Sequence, residues 1–282
     1  MLQTEQLRQM STQVRRDVIR MIHSAKSGHT GGSLGCADFM TVLYFNVLEH
    51  DPKTFSIEGK GQDVFFLSNG HIAPVWYSVL ARTGYFPIPE LGTLRKLGSR
   101  LQGHPSVSHH LPGIRMASGS LGQGMSNAIG MALAKKMDGD SHLVFSLHGD
   151  GELEEGQIWE SAMFAGAKKV DNLISVVDYN GLQIDGAVKD VMDLGNLRAK
   201  FEAFGWLVLE MNGNDVTDVE KVLNQAKSSC GQGRPVMILM HTEMGHGVDF
   251  MRNLSKWHGT APNDEQAEAA LEQLPETVYG DY

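Results

Sequence analysis

Apolar residues recur along this chain in two alternating rhythms. Leu7, Met10, Val14, Val18 and Met21 fall at helical spacing, so residues 3–25 are expected to form an amphipathic helix. Short apolar runs of strand length follow at Val64–Ser68, His142–Leu147, Leu173–Asp178, Trp206–Glu210 and Pro235–Met240. Helix-period segments separate most of them: Gly122–Met137, Glu154–Ala167, Leu194–Phe204 and Val216–Ser228. Strands alternating with helices predict an α/β fold, a doubly wound parallel sheet with helices on both faces. Ligands of such sheets bind beyond the carboxyl ends of the strands. Residues 84–121 and 243–262 break the pattern and are too long to be idle connectors, which makes them expected binding loops. One domain is expected over residues 1–262, with the polar, acidic residues 263–282 as a tail packed on it, helical over 263–276.

Composition excludes several classes of function. The 282 residues are 41% hydrophobic and 20% charged, which is ordinary for a globular chain, and no stretch approaches the roughly 18 apolar residues of a membrane span. The charged first helix is unlike a signal peptide, and Cys36 and Cys230 have no CxxC spacing. Both thiols are therefore expected in the core of a cytoplasmic protein. A formal net charge of −9 gives a nucleic-acid backbone no broad electrostatic reason to bind. An anionic ligand would have to be held by local features.

One such feature follows the second strand. Gly149-Asp150-Gly151 lies between a strand and a helix, where glycines permit a tight turn and close approach of the backbone to a phosphate. Yet Asp150, Glu152, Glu154 and Glu155 crowd negative charge around that turn, so a bare diphosphate would be repelled unless a cation stood between. Magnesium suits this demand, being held by one or two carboxylates together with ligand phosphates. Asp150 is the first expected ligand. The next strand ends in Asp178-Tyr-Asn180, and an adjacent parallel strand would bring the Asn180 amide oxygen beside Asp150. The turn lacks the GxGxxG spacing of a dinucleotide fold and the Gly-Lys-Ser/Thr of a P-loop.

Four of the twelve histidines are singled out by their segments: Gly28-His29, Gly70-His71 and Gly103-His104, each preceded by glycine, and His258 within Lys256-Trp257-His258-Gly259. Their spacing fits no short zinc motif. The others, including His148 beside Gly149, are expected to be structural or solvated.

Gly149-Asp150-Gly151 with Asn180 thirty residues after the aspartate resembles the GDG-to-N signature of thiamine-diphosphate enzymes. The segments Lys26-Ser-Gly-His29, Leu67-Ser-Asn-Gly-His71, Gly103-His104-Pro, Gly119-Ser-Leu-Gly122 and His258-Gly resemble transketolases in particular, in the family's order, over residues 10–262. The resemblance implies the diphosphate-binding (PP-type) domain of that family. It implies magnesium, or calcium or manganese in its place, held by Asp150, Asn180 and the Leu182 carbonyl. Gly149, Gly151, His71 and His258 would contact the cofactor, and Gly119, Leu121 and Gly122 would shape its wall. His29, His104 and His258 would reach the donor sugar, and Glu155 would lie at a subunit interface, bonded toward the neighbouring active site. The implied reaction passes a two-carbon ketol unit from a ketose, expected in phosphorylated form, to an aldose.

Two departures, Thr30 and Ser120 where relatives carry proline, are mild. The family's pyrimidine-binding domain, which supplies a catalytic glutamate, is expected on a separate C-terminal subunit in an α2β2 assembly. Competing expectations are a 2-oxo acid dehydrogenase subunit, a deoxyxylulose-phosphate synthase-like enzyme and a non-catalytic cofactor-binding scaffold.

Overall fold

The computed structural model describes residues 1–282. The chain opens with helices α1 (Thr4–Ala25), α2 (Thr30–Gly35) and α3 (Ala37–Val42), then strand β1 (Val64–Leu67) and helix α4 (Ala73–Arg82). It continues through α5 (Gln123–Asp138), β2 (Val144–Gly149), α6 (Gly156–Ala167) and β3 (Leu173–Tyr179). A small hairpin, β4 (Leu182–Gln183) and β5 (Gly186–Ala187), leads to α7 (Val188–Met192) and α8 (Leu197–Ala203). Strand β6 (Leu207–Asn212), α9 (Val216–Ser229), β7 (Val236–His241) and α10 (Asp264–Gln273) complete the fold.

The five long strands form one parallel sheet in the order β1-β2-β3-β7-β6. Each apolar run seen in the sequence is one of these strands, with ends moved by one or two residues. Alternate strand residues feed two separate cores. Phe65, Leu67, Phe145, Leu147, Ile174, Val176, Val236 and Ile238 face α1, α3, α4 and α9. Val64, Phe66, Val144, Leu173, Val177, Met237 and Leu239 face α5, α6 and α8. Burial on both faces is why the strands read as continuous apolar runs rather than alternating ones.

Three helices lack a readable pattern. Helix α4 is apolar nearly all round because every residue from Ala73 to Ala81 is buried, which erases the amphipathic stripe. Helices α2 and α3 are six residues each and also wholly buried. Close packing elsewhere depends on glycine: a Cβ on Gly166 in α6 would lie 1.8 Å from the Phe204 carbonyl oxygen, so no side chain fits there.

Residues after α10 return across α1. Arg16 pairs with Asp281 at 2.7 Å, and Arg20 donates to the Tyr282 carbonyl at 2.6 Å. Ala267, Ala270 and Leu274 join the core on that side. These contacts brace the helix whose end carries the first histidine of the site.

Candidate active site

The sheet order reverses between β3 and β7, and a cavity of about 250 Å3 opens at the carboxyl ends of the strands beside that point. Its lining includes His29, His71, His104 and His258 on one side and Gly149, Asp150, Gly151, Asn180 and Leu182 on the other, with Gly119 and Leu121 as a wall. The two groups of residues singled out in the sequence thus meet in one place. Glu155 does not join them: it is the exposed residue preceding α6 and lies outside the lining.

Local backbone chemistry delivers each histidine. Lys26 ends α1 in a left-handed conformation (φ 49°), and Gly28 follows at φ 147°, a region that favours glycine, so the chain swings His29 inward. Thr30 donates to the Thr260 carbonyl at 2.8 Å, and the Gly245 N–H donates to Gly31 at 2.8 Å, tying this turn to the loop that carries His258. A Cβ on Gly31 would lie 2.5 Å from Met244 Cγ, so the close approach requires glycine. His71 follows the end of β1, and a Cβ on Gly70 would meet the Ser118 side chain at 2.4 Å. His104 packs against Gly119 (φ 134°), where a Cβ would stand 3.0 Å from the ring.

The four rings form a cluster around His29. Ring centroids lie 4.9 Å from His29 to His71, 5.6 Å to His258 and 6.2 Å to His104, with 5.1 Å between His71 and His258. Burial, then the neighbouring His258, His104 and Arg95, lowers the His29 pKa to about 4. Burial holds His71 well below its ordinary value, followed by the other three rings. It also lowers His104, with Arg95 adding to the effect, and His258. Each ring is therefore neutral at pH 7, with one nitrogen to donate and one to accept. His29 Nδ1, His258 Nδ1 and Asn69 Oδ1 are buried without partners. Such atoms are costly unless a polar ligand meets them.

The acidic turn separates into distinct roles. Asp150 is 2% exposed, and its oxygens accept from Gly151 N at 2.8 Å and Gly181 N at 2.6 Å. Burial, then the charge of Asp178, raises its pKa to about 7 against backbone donors that lower it. Glu154 takes the Gln183 amide at 2.7 Å, while Glu152 is fully buried and engaged by backbone donors. Asp150 and Glu152 both line the cavity, but Glu152 is held by three donors of the protein, whereas each Asp150 oxygen accepts a single backbone N–H. The β2–β3 register sets Gly149 opposite Asp178, which brings Asn180 beside Asp150 as the parallel pairing requires. Asn180 donates to Asp178 at 2.9 Å and its amide oxygen accepts from Leu182 N at 2.9 Å. One carboxylate, one amide oxygen and one main-chain carbonyl make a hard-oxygen set that fits magnesium. The orphaned imidazole nitrogens of His29 and His258 and the Asn69 amide oxygen beside Gly149 fit a polar, phosphorylated group. The residues present therefore suit a diphosphate cofactor held through a cation.

Sequence reasoning missed Asp178, Glu152, Asn69, Gln183, Ile184 and Met244 as parts of this cavity. Asp178 and Asn69 each adjoin a recognised motif, and Met244 lies in one of the two expected binding loops. The remaining histidines lie outside: His148 is a core residue bonded to Ser146 at 2.9 Å, and His23, His50, His142, His241 and His246 have partners of their own.

A parallel sheet with a diphosphate-type acidic turn and facing imidazoles at its switch point defines the class of thiamine-diphosphate-binding domains. Residues 7–276 match the family model for the transketolase thiamine diphosphate binding domain, and the chain belongs to the transketolase family. It is 39% identical, over 95% of its length and 96% of the relative's, to the 6-deoxy-6-sulfo-D-fructose transketolase subunit SqwG of a Clostridium species. It is 36% identical, over 98% and 96%, to an apulose-4-phosphate transketolase subunit of Phocaeicola vulgatus. The crystal structure of Campylobacter jejuni transketolase superposes with a TM-score of 0.87 at 34% identity, covering 95% of this chain and 43% of that one. The chain thus spans nearly all of the subunit-type relatives and less than half of that longer enzyme.

Proposed function

We propose that this chain anchors thiamine diphosphate through a divalent cation and, with a second subunit bearing the pyrimidine-binding domain, transfers a two-carbon ketol unit from a ketose to an aldose. The observation that carries the reading is the facing of four neutral imidazoles, two with unpartnered buried nitrogens, across a cavity from Asp150 and Asn180. Bound there, thiamine diphosphate supplies carbanion stabilisation, which is what breaking and making a bond beside a ketose carbonyl requires. Asp150, Asn180 and the Leu182 carbonyl hold the cation, magnesium or in its place calcium or manganese. Gly149 and Gly151 leave room for the diphosphate, and His71 and His258 bond to it. His29, His104 and His258 donate to and accept from the sugar's hydroxyl and carbonyl oxygens, and neutral rings suit both tasks. Glu155, exposed beside α6, would in this reading lie at an interface between subunits of an α2β2 assembly.

The names of the two subunit-type relatives refer to a sugar phosphate and a sulfo-sugar, which supports a donor with an anionic terminal group. A cytoplasmic location and a role in carbohydrate metabolism complete the proposal; Cys36 and Cys230 are both free thiols, and no helix is long and apolar enough to cross a membrane. The test is transfer of a labelled two-carbon unit from xylulose 5-phosphate to ribose 5-phosphate and from a panel of anionic ketoses. Transfer that needs both subunits, cofactor and cation is expected; decarboxylation of 2-oxo acids without ketol transfer would overturn the reading.

The cation site also sets a pH dependence. A cation requires ionised Asp150, whose folded pKa of about 7 is above its ordinary 3.8. Cation affinity is expected to fall about tenfold for each pH unit below about 7 and to level off above it. Titrations of Mn2+ in place of magnesium between about pH 5.5 and 8 measure this directly.

A further inference from the structure

Glu152 touches the cavity, yet its carboxylate is occupied by the protein itself. The side chain is fully buried. One oxygen accepts from Gly122 N at 2.7 Å and from the Ser68 hydroxyl; the other accepts from Gly149 N at 3.0 Å. Ser68 in turn accepts from Gly124 N at 3.0 Å. These donors come from three segments: the end of β1, the first residues of α5, and the end of β2. Two of them, Gly122 N and Gly124 N, are N–H groups at the start of α5 that the helix cannot satisfy internally. Gly122, at φ 89°, has no side chain to cap with, so the remote carboxylate performs that task and matches the positive end of the helix dipole. The packing leaves no alternative residue at Gly124, where a Cβ would stand 2.3 Å from the Ser68 side chain.

The segment fixed in this way is the cavity wall that includes Gly119 and Leu121. The Leu121 carbonyl is held from the other side by the Gln157 amide at 2.9 Å. We propose that Glu152 is a positioning residue, not a cation ligand: it locks the Gly119–Gly122 wall to the ends of β1 and β2, so that the wall is formed before any cofactor binds. Identification of the cofactor rests on the function proposed above; the lock itself does not.

Amide hydrogen exchange on the full chain, free of cofactor, tests the lock. Glu152→Ala is expected to raise exchange at Gly122 and Gly124 by on the order of tenfold or more, with Glu152→Gln intermediate because one oxygen acceptor remains. Ser68→Ala, which removes the hydroxyl between Glu152 and Gly124 N and leaves the other two Glu152 bonds in place, is expected to act at Gly124. In the enzyme assembled with its partner, Glu152→Gln is expected to raise the KM for thiamine diphosphate about tenfold, with kcat at saturating cofactor within about twofold and Mn2+ affinity unchanged. Unchanged exchange at Gly122 and Gly124 in both Glu152→Gln and Ser68→Ala would overturn the proposal, as would a loss of Mn2+ affinity matching the rise in KM. Failure of the unsubstituted assembly to bind thiamine diphosphate at all would instead refute the proposed function and leave the exchange result standing.

Discussion

Replacement of Asp150 by asparagine is expected to weaken cation-dependent binding of thiamine diphosphate by on the order of 100- to several-thousand-fold. The carboxylate is nearly fully buried and each oxygen already accepts one backbone N–H, so its remaining lone pairs face the cavity. Asparagine removes the charge that offsets the cation and turns an NH2 group toward one of those N–H donors. Removing one partner of a buried charged pair costs about 3–5 kcal/mol, which corresponds to a factor of this order. Binding titrations on the assembled enzyme, with magnesium in excess, measure it. Misfolding is separable from this loss by the sign of a stability change. Burial raises the Asp150 pKa from 3.8 to about 7 in the cation-free protein, so its contribution to folding is fully present below about 4 and lost as pH rises through 7. At about pH 8 the carboxylate is a buried charge that opposes folding. Asp150→Asn is therefore expected to melt no lower than the unsubstituted chain at that pH without cation, while binding cofactor far more weakly.

The second large effect belongs to His29. Its ring is the centre of the cluster, within 6.2 Å of the other three by centroid, and its Nδ1 is buried without a partner. Burial first, then His258, His104 and Arg95, lowers its pKa to about 4, so the ring is neutral at pH 7, as the proton-transfer role proposed for it requires. A positioned imidazole in proton transfer contributes about 100- to 10,000-fold. His29→Ala is expected to lower kcat/KM for ketol transfer by that order and to leave the KM for thiamine diphosphate within a few-fold. Steady-state kinetics with saturating cofactor separates the two. An equal loss in cofactor affinity and turnover would make His29 a cofactor anchor instead.

The parts of this site that are legible in the sequence are those where chemistry is carried by short motifs. Gly149-Asp150-Gly151 and Asn180 are readable because a strand, a glycine turn and an amide ligand occur at fixed spacing, and the parallel register of β2 and β3 then has to bring them together. The glycine before His29 and His71 is readable for a similar reason: Gly28 takes a positive φ, and Gly70 packs too closely on Ser118 for a side chain. Other features have no one-dimensional signal. Glu152 looks like one more acid in a crowded turn, and only the fold shows that Ser68, Gly122 and Gly149 converge on it from distant segments. Helix α4 is invisible because uniform burial removes the 3.6-residue stripe. The β4–β5 hairpin, two residues a side, is too short for a strand pattern, yet it sets Leu182 and Gln183 against the acidic turn. Glu155 illustrates the opposite limit: its motif position is clear, but within one chain it faces outward, and its proposed role depends on another subunit.

Cation dependence of thiamine diphosphate binding is the most direct measurement of what this cavity is built to do. With the partner subunit present and magnesium saturating, binding is expected to be at least about 100-fold tighter than after chelation, because the acids around Gly149 and Gly151 repel a bare diphosphate and neutral imidazoles do not offset that charge. Equal affinity with and without the cation would contradict the assignment of Asp150 and Asn180 as its ligands.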